Sequence, residues 1–332
     1  MSVLDNIVLV SNSKLDTWKE CEVKYYLSYE KAYRPHGTSP ALAFGSAWGA
    51  AMDTMWAVGS SNPDAPNETV AGLAHEAFLS SWIERDMPMG QDLQALILEG
   101  SRQWQARNPA IAETMLINYA TRRLPVIRKM ELLEVEKPFA VPIDSDNPRL
   151  FYVGKMDKVY RDKTQGGVYG IDHKTSSAYR VGGPFQYGFL NSFSPNSQMD
   201  GYLYYLRYKY GTEARYIYID AALVHKTHHA AFEMLPVHRT LEQLNKWLQD
   251  TVEYTKRIAR AHEQDVFLAN TRSCHNYTGC QYLDICKAVA DPRTMKEPMD
   301  GFFVSNETTA ERLGIDLEAL EQVVQEAQSN GV

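Results

Sequence analysis

The period of apolar and polar positions changes along this chain, and the changes divide it. Over residues 11–33, "SNSKLDTWKECEVKYYLSYEKAY", Leu15, Trp18, Tyr25 and Tyr26 fall at helical spacing behind Ser11 or Ser13 as N-cap, predicting one helix. "ALAFGSAWGAAMDTMWAV" (41–58) predicts a second, rich in small residues. Its Gly45 and Gly49 lie four apart on one face, where glycines would admit another backbone. Residues 68–135 are predicted mainly helical. Three runs then alternate or carry β-branched and aromatic residues, at 132–143, 149–162 and 166–177, with turn residues between them. They predict three consecutive strands. A helix from Ser197 to Tyr210 follows, then strands at 214–225 and 229–238, and a long helix over Leu241–Glu263. Residues 316–328, "DLEALEQVVQEAQ", predict one amphipathic helix in the tail.

This order of helices, strands, helix, strands and helix predicts an α/β fold. A mixed central sheet with flanking helices and a helical insertion at about 60–135 accounts for it better than a doubly wound unit. The chain shows no internal repeat and no glycine-rich phosphate loop.

Composition changes the picture little: 44% of the 332 residues are hydrophobic and 23% charged. No long apolar run predicts a membrane span. "MSVLDNIVLVSNSK" lacks the basic-then-apolar pattern of a secretory signal, which points to the cytoplasm. The net charge of −7 argues against a protein that coats nucleic acid passively. It leaves room for an enzyme with a local basic groove. The basic run Arg122, Arg123, Arg128 and Lys129 is expected to be a solvated helix face.

Candidate chemistry gathers on the second and third strands. Asp157 lies in "VGKMDKVY" and Asp172 in "GIDHKTS". Side chains two apart on a strand share a face, so Asp172 and Lys174 project together while His173 points away. Antiparallel pairing would set Asp157 beside Asp172. Two carboxylates and an ammonium would then converge, oxygen ligands suited to Mg²⁺ or Mn²⁺ beside a group that orients or activates water. An Asp-x-Lys pair alone is a weak signal. On the following helix Gln198 and Tyr202 stand four apart and share a face. Tyr202 taken alone reads as core packing with Tyr204, Tyr205 and Tyr208.

Gly154-x-x-Asp157, Ile171-Asp172-x-Lys174-Thr175 and Gln198-x-x-x-Tyr202, taken together, resemble the motif series of the PD-(D/E)XK nucleases, in particular the RecB-like branch. The resemblance spans about residues 13–290. It implies metal-dependent hydrolysis of DNA phosphodiesters. Asp157 and Asp172 would be metal ligands, the His173 backbone carbonyl a further one, Lys174 the group that positions water, and Gln198 and Tyr202 orienting residues. The branch's first motif is a glycine followed four residues later by histidine; here Gly45 is followed by Gly49. That departure leaves open whether one metal or two are bound, with Asp53, one turn later, as a substitute ligand.

The four cysteines are distributed unevenly: Cys21 near one end, and Cys274, Cys280 and Cys286 in "SCHNYTGCQYLDIC". Disulfides suit an oxidising compartment, zinc sites generally use shorter gaps, and an iron–sulfur cluster also takes four thiolates. Unrelated buried thiols remain the bland alternative. The resemblance favours the cluster. AddB-type and CRISPR-adaptation nucleases are similar in placing one cysteine before the first motif and three after the last, around a [4Fe–4S] cluster. It would tie together chain segments 253 positions apart, restricting the unfolded chain by on the order of 5 kcal/mol.

The expectation is a nuclease domain over 1–290, with the cysteine segment at 270–290, and a tail at 291–332 holding one helix. Family habit implies an exonuclease acting on single-stranded DNA ends in recombination, repair or replication, with a helicase or recombination protein as partner. Two rival readings stand beside it: a catalytically inert DNA-binding iron–sulfur protein, and a redox or regulatory one.

Overall fold

The computed structural model describes residues 6–180, 184–276 and 279–329. The first five residues, part of the stretch read for a secretory signal, and Tyr277 and Thr278 of the cysteine segment lie outside them. Contacts divide the chain into two compact units: Met1–Gly37 with Pro138–Lys155 and Thr240–Val332, and Thr38–Lys137 with Met156–Arg239.

The first unit opens with β1 (Val8–Val10), α1 (Asn12–Glu20) and α2 (Glu22–Tyr25), and a π-helical turn over Tyr26–Glu30 leads to β2 (Tyr33–Pro35). The single helix expected over 11–33 is therefore broken. Ser11 caps α1 by accepting the Lys14 N–H, but Cys21 is extended, at φ −168° and ψ 124°. No glycine or proline marks the break.

In the second unit, α3 (Pro40–Ser61) starts at the Ser39 cap with proline in its first turn. Its face Ala43, Phe44, Ala47, Trp48, Ala51, Met52, Met55 and Trp56 is buried. It packs with α4 (Asn67–Ile83) and, beyond the short α5 (Gly90–Leu98) and α6 (Arg102–Ala106), with α7 (Pro109–Ile127). No backbone approaches Gly45, where an added Cβ would meet only the Thr175 hydroxyl at 3.5 Å; the tight glycine on this helix is Gly59, where it would lie 2.7 Å from the Leu124 side chain. The Gly49 position meets nothing within 4 Å. The basic run is also not simply solvated: Arg123 pairs with buried Asp220, and Arg128 donates to the Ala65 carbonyl and Asn67.

Strands β3 (Met130–Pro142), β4 (Leu150–Asp162) and β5 (Val168–Ser176) follow as expected. After α8 (Tyr187–Asn191), α9 runs Ser197–Tyr210, capped by Asn196 and ended at Gly211 with φ 54°. Next come β6 (Ala214–Leu223) and β7 (Phe232–Val237). In the second unit β4 and β5 are antiparallel, β5 and β6 parallel, and β6 and β7 antiparallel, which makes a mixed sheet with helices against it. In the first unit β1 runs parallel to the start of β4.

The first unit resumes with α10 (Leu241–Gln264), opened by a Thr240/Gln243 capping box and closed at Asp265 in the left-handed region. Then come α11 (Leu283–Ala288), β8 (Phe302–Val304), α12 (Thr309–Leu313) and α13 (Leu317–Ser329). The tail thus holds a strand and two helices where one helix was expected. β8 pairs antiparallel with β2, and Leu320 and Val324 of α13 bury against Phe151 and Val153. Among the described residues no helix is long and apolar enough to cross a membrane.

Candidate active site

The antiparallel register of β4 on β5, Lys158 opposite Ile171, carries Asp157 to the level of Asp172. Asp157 is fixed there by main chain: the His173 N–H donates to its Oδ2 at 2.7 Å. Asp172 is buried, and Lys174 Nζ lies 2.7 Å from its Oδ2 and donates to Oδ1 at 3.0 Å. The Lys174 side chain is 32% exposed. Burial lifts the Asp172 carboxyl to about 6; Lys174 opposes that rise, while Asp157 and then Glu136 add to it. Burial works against the Lys174 ammonium, but Asp172 and Asp157 together outweigh it and hold its pKa above the ordinary value.

Glu136 was not picked out in the sequence. It sits within β3 with φ 46°, a left-handed conformation that is strained for a residue with a side chain and is concentrated at functional sites. No glycine or asparagine in "LEVEKPF" signals it.

The opposite face of the same strands carries a buried polar network. His173 turns its ring away from the carboxylates, with Nδ1 3.3 Å from Asp220 Oδ2. Asp220, opposite His173 on β6, also takes Arg123 at 3.1 Å and the hydroxyl of Tyr119, which accepts from Trp56 Nε1 at 3.1 Å. Burial would raise Asp220, but His173, Arg123 and Tyr119 together hold its carboxyl below the ordinary value. Burial and then Lys158 push the His173 pKa below its ordinary value, against the pull of Asp220 and Asp157. Lys158 is fully buried and donates to Asp53 Oδ1 at 2.8 Å. Asp53 therefore lies on the face away from Asp157 and Asp172, engaged as the counter-ion of a buried lysine. Asp220, Tyr119 and Lys158 carry no signal in the sequence because their partners are distant in the chain.

Gln198 and Tyr202 meet on α9, Nε2 to the hydroxyl at 3.1 Å, and α9 packs on β5 and β6. Tyr202 is buried. Arg239 Nε pairs with Asp200 at 2.6 Å near the start of this helix.

A sequence model described as the PD-(D/E)XK nuclease superfamily matches residues 9–287. The chain belongs to that superfamily. A crystal structure of a protein from Eubacterium rectale, described as a candidate exonuclease, is similar at 14% identity and a TM-score of 0.47; 86% of this chain and 94% of that one are covered. No curated protein matches.

Elsewhere in the nuclease, the first unit collects the cysteines. Cys21, Cys274, Cys280 and Cys286 are free thiols, and all four line one cavity of about 400 Å³ with Leu27, Phe267 and Tyr282. Cys21 accepts the Asn270 N–H at 3.4 Å. Burial, followed by Cys280, Cys21 and Cys274, pushes the Cys286 thiol up to about 11. The Tyr282 hydroxyl lies 3.0 Å from Ser28 Oγ and donates to the Tyr33 carbonyl at 2.7 Å, joining the cysteine segment to the N-terminal one. Among the described residues, no three or more His, Cys, Asp and Glu side chains stand close enough to hold a single metal ion. The acidic cluster offers two carboxylates, and the cysteines stand around a cavity instead of a point.

Proposed function

We propose that this nuclease hydrolyses DNA phosphodiesters with Mg²⁺ or Mn²⁺ as an exonuclease on single-stranded ends, serving recombination, repair or replication. It would belong to the RecB-like branch, with a helicase or recombination protein supplying unwound strands. The observation that carries this reading is the meeting of Asp157, Asp172 and Lys174 across β4 and β5.

The donor set fits a hard divalent cation. Two carboxylates meet at one ammonium, and sites for such ions commonly use one or two carboxylates with water and phosphate oxygens. Asp157, Asp172 and the His173 carbonyl would hold the ion, and Asp53 remains with Lys158. The ion would supply Lewis-acid activation of water and charge relief at the phosphate. Lys174 orients the attacking water and hydrogen-bonds a non-bridging phosphate oxygen. The His173 N–H keeps Asp157 in one rotamer, and the Gln198–Tyr202 pair stiffens the α9 face beside β5.

We also assign Cys21, Cys274, Cys280 and Cys286 to a [4Fe–4S] cluster with a structural role, since hydrolysis needs no electron transfer. The fit rests on the cavity shared by all four thiols. Their crowding disfavours four thiolates unless cationic iron offsets the charge.

The test is to purify the protein anaerobically, quantify iron and sulfide, and follow end-labelled and circular single strands with Mn²⁺ beside Asp172→Asn. Iron with sulfide, and cleavage of labelled ends only, are expected. Cleavage of circles would overturn the exonuclease mode. DNA binding without any cleavage would leave a binding module.

A further inference from the structure

Beyond the carboxyl ends of the parallel strands β5 and β6 lies a second cavity of about 620 Å³, within the range of small-molecule sites. In open α/β sheets this is where ligands generally sit. Ser177 and Tyr179 line it just past β5, His225 and Lys226 just past β6, and Arg107 with Gln103 from the α6 side.

Three features give the cavity its chemistry. No aspartate or glutamate lines it, although the chain carries net charge −7. Its two full cations lack a carboxylate partner among the described residues: Arg107 Nη2 donates only to Ser177 Oγ, at 3.1 Å, and Lys226 is exposed. Burial presses the Arg107 pKa below its ordinary value, so the guanidinium has already lost part of its water. Finally, the Tyr179 ring packs against His225 and His228, with ring centroids 4.9 and 4.8 Å away and the planes tilted by 37° and 32°.

Cations without counter-ions beside an aromatic cluster are what a sequence-tolerant single-strand site uses, cations for phosphate and rings for bases. We infer that this cavity is a nucleotide subsite of the nuclease, seating one phosphate of a single strand between Arg107 and Lys226 and stacking the attached base on the Tyr179–His225 pair. The inference rests on the proposed DNA reading and adds the path of the strand. Ser177 follows Lys174 by three residues, about 10 Å of extended chain. A strand held here therefore reaches the carboxylates within a few nucleotides.

The experiment measures binding of a fluorescein-labelled oligothymidylate, and of a blunt duplex, to the full chain in EDTA over a salt series. Wild type, Lys226→Ala, Arg107→Gln and Tyr179→Leu are compared, with melting curves to confirm folding. Lys226→Ala is expected to weaken single-strand binding several-fold and to lower the salt slope by about 0.7, the value for one phosphate contact. Tyr179→Leu should weaken it about 5- to 100-fold with the slope unchanged, and should spare the duplex. Folded variants that bind like wild type with the same slopes would overturn the subsite; equal loss on the duplex would overturn base stacking. Cleavage with Mn²⁺ separates the two ideas. If wild type binds through these residues without cutting, the hydrolytic reading fails and the subsite stands. If it cuts and the variants match it in KM, the subsite alone fails.

Discussion

The acidic cluster and the cysteine cluster solve opposite problems. Asp157 and Asp172 are held by the protein itself, one by a strand amide and the other by Lys174, on the most regular part of the sheet. Their geometry is set by bonds within the chain itself. The thiols sit on a helix break, a 3₁₀ turn and a short helix, and Asn270's N–H to Cys21 is a weak contact. A site on strands needs a ligand for its chemistry, whereas a site on loops needs one for its shape.

The contrast is tested most severely by exchanging insults. Asp172→Asn should lower cleavage by on the order of 10³-fold, the scale of losing a metal's several kcal/mol, while leaving the melting temperature near wild type or above it. Removing a buried acid whose pKa is raised relieves desolvation. Cys280→Ala should do the reverse, bleaching visible absorbance and costing about 2–5 kcal/mol in urea unfolding, comparable to loss of a native cross-link. A Cys280→Ala protein as stable as wild type would remove the distinction.

Next in size is Asp53→Asn. It leaves Lys158 buried without its counter-ion and should cost about 3–5 kcal/mol, yet the Mn²⁺ concentration giving half-maximal cleavage should not move. A shift in that concentration would return Asp53 to the metal. Tyr282→Phe removes one buried hydroxyl with two partners, worth about 1–2 kcal/mol, and should not bleach the protein. Loss of colour would mean that this hydroxyl, and not the thiols alone, sets the cavity.

The smallest effect is that of pH on Glu134. Burial would raise its carboxyl, but Lys209, Tyr205 and Tyr210 together hold it below the ordinary value. Its contribution is therefore complete above the unfolded pKa and fades as pH falls through the lower folded one. Glu134→Gln should flatten the acid limb of stability below about pH 4. An unchanged limb would show that other carboxylates carry it.

Much of the second unit was legible because local signals agreed. The limits of β3, β4, β5 and α9 follow from alternation, from the Asn196 cap and from Gly211, and the Asp157–Asp172 level follows from hairpin register. The helix break at Cys21 was not legible, since "KECEVKYY" carries no breaker and the tertiary setting of the thiol decides it. Lys158 and Asp220 carry no local signal in the sequence, and only partners about a hundred residues away show that both are buried.

The bond from the His173 amide to Asp157 has an evolutionary side. A main-chain donor survives every ordinary replacement except proline, so drift at position 173 can disturb the opposite face of the sheet while the acid keeps its aim.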